Sequence, residues 1–198
     1  FSNSPKNIPH ATFRDLGFVA REDGKFDVYS AGGLGNNPKM GVKVAEAVEG
    51  GKILYYIKAM VNMFVAYGNY ENRAKARTRY MQDVLGDKYA EAFKEKLEEV
   101  MKEEVLDISA EAKEITKKSD GVIVEDKRVI AQKQEGLYAV EYHPIGGCPK
   151  PSKLKEIYEA MADMEQTELR IGPDETVYII NCTGSEAKKL LEVTSDSA

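Results

Sequence analysis

Histidine and cysteine are scarce. The chain has two of each, His10, His143, Cys148 and Cys182, among 198 residues. The cysteines show no metal-type spacing, and neither histidine has a Cys, Asp or Ser neighbour spaced for a metal site or a triad, so both histidines read as turn residues. A disulfide is out of place in a Lys/Glu-rich chain with no secretion signal, and two free thiols in a cytoplasmic protein are expected. Cys148, in "GGCPKP", falls in a loop, and Cys182, in an alternating strand, reads as a core filler. An excess of positive charge is also missing. Against 28 Lys and Arg stand 33 Asp and Glu, a formal net charge of −5, which excludes a generic nucleic-acid or anionic-membrane surface because such partners require a basic field. Long apolar runs are missing too. The longest, Ile53 to Tyr67, is interrupted by Lys58 and Asn62 and is shorter than the roughly 20 residues of a bilayer span. It reads as a buried helix, apolar on almost every face and therefore covered on all sides. No initiator Met is present, and "FSNSP" looks like the tail of a strand, so the chain is expected to be a piece of a larger protein whose site is shared with other segments.

What is present organises into two units, as the length allows. "DLGFVAREDGKFDVYS", 15–30, predicts a hairpin turning at Glu22, Asp23 and Gly24. The loop "SAGGLGNNPKMG", 30–41, follows directly. The buried helix comes next and stops at Gly68. "NRAKARTRYMQDVLG", from Asn72 to Gly86, predicts a basic helix, with Arg73 and Arg77 on one face and Lys75 and Arg79 on another. A Lys/Glu ladder from about Asp87 to Leu106 predicts a third helix, with Ala92, Phe93, Leu97, Val100 and Met101 near its apolar stripe. Residues 111–135 lose periodicity and are expected to be a linker between a first domain, 1–110, and a second, 136–198. The second reads β-α-β-β-α: a strand in "GLYAVEYHPIGG", a helix from Ser152 to Met164, a hairpin in "ELRIGPDETVYIINCT", and a last helix, "SEAKKLLEV", capped by Ser185. It stops where one more strand is expected.

Four cations within seven residues of an acidic protein admit two readings. Either they pair with the Glu-rich helix that follows, or they hold a polyanionic ligand, since guanidinium forks fit carboxylate and phosphate oxygens. The glycine loop supplies complementary backbone N–H groups, or it is only a tight turn. As a nucleotide motif it is poor, matching neither G-x-G-x-x-G nor a P-loop.

Taken in order, the hairpin with its glycine loop, the buried helix and "YGNYENRAKARTRYMQDVLG" resemble the sirohaem-binding domain of the nitrite and sulfite reductase family. "TELRIGPDETVYIINCTGSEAKKLLEVTSD" is similar to that family's ferredoxin-like half-domain. The resemblance covers nearly the whole chain and implies an α+β fold: most of a sirohaem-domain α/β sandwich, then a ferredoxin-like half-domain. It implies six-electron reduction of nitrite to ammonia or sulfite to sulfide, on sirohaem coupled to a 4Fe-4S cluster, with electrons from ferredoxin or a similar carrier. Sirohaem is rimmed with carboxylates and needs cations and backbone donors. By position, Gly32, Gly33, Leu34 and Gly35 would approach it through backbone N–H groups, with Asn36 beside them. Asn72 and Arg73 stand in place of the family's Asn-Arg pair, and Arg77 is a further candidate or a structural ion-pair partner. Arg170 matches a recurring arginine of the half-domain and is expected to be structural in this copy. The family's cluster cysteines come in two pairs that Cys148 and Cys182 do not reproduce, so neither cluster nor sirohaem is expected on this chain alone, and alone it is expected to be inactive. The alternative is a non-catalytic nucleotide- or phosphate-binding module, or a domain kept for packing.

Overall fold

The structure, a computed structural model, describes residues 1–198. It divides into two compact units, Phe1–Ala112 and Lys113–Ala198, both α+β. In the first, strands β1 (Leu16–Ala20), β2 (Phe26–Ser30) and β3 (Val42–Val48) form an antiparallel sheet in that order. The hairpin has the expected turn: Phe18 stands opposite Val28 and both are buried. Ser2 makes a parallel bridge to Val19, in keeping with the strand-like start.

Two helices cover this sheet's core. Helix α1 (Ile53–Tyr67) buries Tyr55, Tyr56, Ala59, Met60 and Met63, and α3 (Tyr89–Glu103) buries Tyr89, Ala92, Phe93, Leu97 and Val100. Each large apolar side chain so buried contributes about 2 kcal/mol. The expectation that α1 is covered on all sides is not met in this chain, where Ile57, Val61 and Val65 form an exposed stripe. Met101 is likewise exposed, outside the buried stripe of α3. At the end of β2, the buried Ser30 hydroxyl lies 2.9 Å from both Met60 Sδ and the Tyr89 phenol. Burial pushes that phenol's pKa up to about 12.

The basic helix expected from Asn72 to Gly86 does not form. Arg73–Lys75 and Thr78–Tyr80 are separate 3-10 turns, and only α2 (Met81–Leu85) is α-helical. Between them Ala76 leaves the helical region at ψ 58° and Arg77 is extended at φ −138°, ψ 146°, so Arg73 and Arg77 do not share a helix face. Three causes act together. The Asn69 side chain accepts from the amides of Glu71 and Asn72 and Asn72 from that of Ala74, which favours turns over helix. Like charges at i, i+4 repel. Among residues 72–86 only Met81 is buried, so little packing rewards a longer helix.

The second unit is a four-stranded antiparallel sheet of order β4-β5-β7-β6. Its elements are β4 (Val129–Ala131), β5 (Tyr138–Tyr142), α4 (Pro151–Met161), β6 (Glu168–Ile171), β7 (Val177–Cys182) and α5 (Gly184–Val193). Val140, Tyr142 and Ile179 of the sheet share one core with Ile157 of α4 and with Ala187 and Leu190 of α5. From Lys113 onward the stretch expected as a linker lies in this unit: Val124 is in its core and β4 pairs with β5. The strand that comes first in this unit, β4, takes the sheet edge beside β5. Helix α5 starts earlier than expected and is capped by Thr183, not Ser185. The Glu186 carboxylate accepts from the Thr183 amide at 2.8 Å, and the Thr183 hydroxyl accepts from the Glu186 amide at 3.4 Å, a capping box.

Candidate functional site

The glycine loop leaves β2 through Ala31, which is buried and in the left-handed region at φ 60°. Gly32 follows, packed so tightly that a Cβ would stand 2.8 Å from the carbonyl oxygens of both Thr12 and Arg14. Its N–H donates to Arg14 at 3.0 Å. Gly33 and Lys39 exchange two backbone hydrogen bonds of 2.9 Å, closing a small hairpin whose tip is 34–38. The amides of Gly32 and Gly33 are therefore taken by the chain itself. Those of Leu34, Gly35 and Asn36 have no acceptor, and all three residues are exposed, Leu34 at 61%. Gly35 has φ 115°, a conformation that other residues rarely adopt.

Four anchors from residues 79–83 fix this loop. The Asn37 side-chain amide donates to the Tyr80 phenol at 3.1 Å. Lys39 forms an ion pair with Asp83. The Gln82 side-chain amide donates to the carbonyls of Ala31 at 2.7 Å and Met40 at 2.9 Å. Arg79 lies against the glycines: a Cβ on Gly33 would stand 3.3 Å from its Nη1, and one on Gly35 would stand 3.6 Å from its Nη2. Its guanidinium carbon is 5.0 Å from the centroid of the Tyr80 ring. The Asn37 hydrogen bond, with Arg79 and Lys75 adding positive charge, holds the Tyr80 phenol below its ordinary pKa. The Nε of Arg79 is buried and has no partner, and no carboxylate in the chain pairs with the guanidinium. A buried polar atom without a partner is rare and costs stability unless a ligand supplies one.

The residues singled out from sequence are thus placed unevenly. Gly32, Gly33, Leu34, Gly35 and Asn36 share one loop, over Arg79, which the sequence pattern places in a cationic row adjacent to that of Arg73 and Arg77. Asn72 caps a 3-10 turn through its side chain. Arg73 and Arg77 are exposed and pair with no carboxylate. The ladder on α3 pairs within itself, Lys94 with Glu98 and Lys96 with Glu99, so the basic segment is not neutralised by the helix after it. Arg170 is answered locally by Glu168, and His143 Nδ1 lies 3.0 Å from the Thr176 hydroxyl. The loop site is an open surface. A cavity of about 160 Å³ is lined by Tyr67, Asn69, Lys75, Val84 and two of the anchors, Tyr80 and Asp83.

The residues present do not fit an iron-sulfur cluster. The Cys182 thiol is buried, donates to the Ile179 carbonyl at 3.4 Å and has its pKa pushed up to about 12 by that burial. Cys148 is exposed, and no three His, Cys, Asp or Glu side chains converge to hold a metal. No helix is long and apolar enough to cross a membrane.

Comparison with known proteins gives this loop a context. Residues 1–105 match the family model described as the nitrite and sulphite reductase 4Fe-4S domain, a span that includes the loop and all its anchors. Over 134 residues the chain is 32% identical to the chloroplastic ferredoxin–nitrite reductase of Spinacia oleracea, covering 68% of this chain and 22% of that protein. The fold is similar to a solved structure of the Mycobacterium tuberculosis NirA protein, with a TM-score of 0.64 and 25% identity over 92% of this chain and 33% of that one. The chain spans about a fifth of the curated relative's length. With more than half of its residues inside the family model, the chain belongs to the nitrite and sulphite reductase family.

Proposed function

We propose that the chain supplies one wall of a sirohaem pocket in a nitrite or sulfite reductase. The observation that carries this reading is Arg79: a guanidinium held against a glycine loop, with a buried Nε that lacks a partner and with the free amides of Leu34, Gly35 and Asn36 on the same loop. Carboxylates on the rim of a macrocycle would pair with this guanidinium and accept from the loop amides, because a guanidinium binds carboxylates strongly and backbone N–H groups add charge-assisted hydrogen bonds. The exposed Leu34 side chain offers apolar contact to a flat ring, and Gly35 lets the backbone approach closely. Asn72, Arg73 and Arg77, exposed and without ion-pair partners, are further candidates for carboxylates farther along the rim.

Sirohaem, when bound in the intact protein together with a 4Fe-4S cluster, would supply the multi-electron reduction. The residues of this chain bind and orient; none is assigned a proton-transfer or electron-transfer role. The cluster ligands and the residues that contact nitrite or sulfite would belong to other parts of the intact protein, and the fragment alone would be inactive and would not retain sirohaem. Ferredoxin or a similar small carrier is the proposed electron donor, as the name of the spinach relative suggests, and a cytoplasmic setting suits the two free thiols. The nucleotide-binding alternative is not favoured, because the loop matches no phosphate-cradling motif and Lys39, its only lysine, is neutralised by Asp83.

Arg79→Ala in the intact protein should lower sirohaem occupancy, read from the Soret and visible bands, by about tenfold or more, the loss expected for a charge-assisted pair. Unchanged occupancy, or occupancy lost equally in Arg170→Ala, overturns the assignment.

A further inference from the structure

Gln82 holds the two arms of the glycine loop together. Its side-chain nitrogen is 2.7 Å from the carbonyl of Ala31, where the chain leaves β2, and 2.9 Å from that of Met40, where it returns. One amide group therefore spans the base of the loop, each hydrogen going to one arm. The residues it joins need such support. Ala31 is a non-glycine residue in the left-handed region, a conformation that persists only where the surroundings hold it. Its N–H is already bonded to Asp15 at 2.8 Å, and Gln82 fixes its carbonyl as well. Beyond Gly33 and Lys39 the tip makes no backbone hydrogen bond of its own.

We propose that Gln82 is a clasp, a positioning residue that sets the gap between the arms and so fixes the amides of Leu34, Gly35 and Asn36 in register with Arg79. The inference rests on the reading of this loop as the cofactor-carboxylate site, and it adds a residue that binds no ligand itself. The chemistry is specific to a neutral amide. A glutamate of the same shape is an acceptor only when ionised and would face two carbonyl oxygens; when protonated it regains one O–H donor. The charged groups around it are Lys39 on the loop, Asp83 beside it on α2, and Arg79 three residues before it.

The test is amide hydrogen exchange on the 198-residue chain without cofactor, comparing wild type, Gln82→Glu and Gln82→Met. At about pH 7 both variants should lose roughly tenfold or more of the protection at Gly33, Lys39 and Gly41, while amides in β1, β2 and the second unit keep theirs. At about pH 4, after correction for intrinsic exchange rates, Gln82→Glu should recover part of the protection and Gln82→Met none. Equal protection in all three proteins, or a loss in Gln82→Glu that is indifferent to pH, overturns the clasp. In the intact protein the same Gln82→Glu change should lower sirohaem occupancy severalfold at neutral pH. An opened loop with unchanged occupancy overturns the link to the cofactor while leaving the Arg79 assignment to its own test, and no sirohaem binding even in wild type overturns the reading of the site while the exchange result still decides the clasp.

Discussion

The start of α5 and the tip of the glycine loop each present a run of bare backbone N–H groups, and they differ in what answers them. At the start of α5, the Asp120 carboxylate accepts from the amides of Gly184 at 3.2 Å and Ser185 at 3.0 Å and also from Val122 at 3.0 Å, while Thr183 and Glu186 close the capping box. Negative charge at a helix N-terminus is favourable, and the chain provides it. At the tip of the glycine loop the amides of Leu34, Gly35 and Asn36 have no acceptor, and the neighbouring Arg79 has a buried Nε with no partner. One site carries its own anion and the other lacks one. A chain that satisfies the first so fully, through a residue more than sixty positions away in sequence, leaves the second open, and the proposed ligand would answer it.

Substitutions at three positions probe that contrast. Gly32→Ala should have the largest effect, because the new Cβ would stand 2.8 Å from two backbone carbonyls that have no flexible end to move. Overpacking of this kind costs about 2 kcal/mol, and a urea midpoint equal to that of wild type would show that the loop base is softer than its geometry indicates. Asp120→Ala should come next, weakening the second unit by about 1 kcal/mol through the lost cap. Burial pushes the Asp120 carboxyl up, but hydrogen bonds from Ser185 and Val122 outweigh it and hold the pKa below the ordinary value of 3.8. A depressed folded-state pKa stabilises above the unfolded value, and that contribution is lost as pH falls below it. Thermal melts of wild type should therefore show a loss of stability below pH 3.8 that is shallower in Asp120→Asn. The smallest effect is expected for Arg79→Met in the chain without cofactor. No ion pair is lost, and relief of the unpartnered Nε opposes the loss of the stacking on Tyr80, so the change should stay within about 0.5 kcal/mol. Destabilisation exceeding that of Asp120→Ala would mean that Arg79 is structural and would collapse the comparison.

Much of the fold is legible in the sequence where one physical signal dominates. Alternation over 15–30 marks the first hairpin, and the longest apolar run, interrupted only by Lys58 and Asn62, marks α1. Stripes at helical spacing mark α3 and α4. What escapes is short or locally contested. β4 is three residues long within a charge-rich stretch, too brief for a period to show. The 72–86 segment has the composition of a helix, but its asparagine turns and repelling cations win because almost none of it is buried. The capping box of α5 is legible as Thr183-x-x-Glu186, two residues before Ser185.

For the site, the glycine loop stands out in the sequence, and the neighbouring arginines form a visible cluster. Which arginine meets the loop is not visible, because Arg73, Arg77 and Arg79 are chemically alike and the choice depends on how the backbone turns at Ala76 and Arg77. Nor could the sequence separate glycines that serve the chain from glycines that face outward. Gly32 is required by the carbonyls of Thr12 and Arg14, brought near it only by folding.

The sequence by itself determined the α+β elements, the shortage of cluster ligands and the presence of a glycine loop near a cationic stretch, since these follow from periodicity and composition. Only the tertiary structure decided that Arg79 lies under the loop with an unmet buried Nε, that the free amides of its tip are those of residues 34–37, and that Gln82 joins the arms. The physical reason is that hydrogen-bond satisfaction belongs to the whole fold: whether a donor is free depends on every acceptor that folding brings within reach.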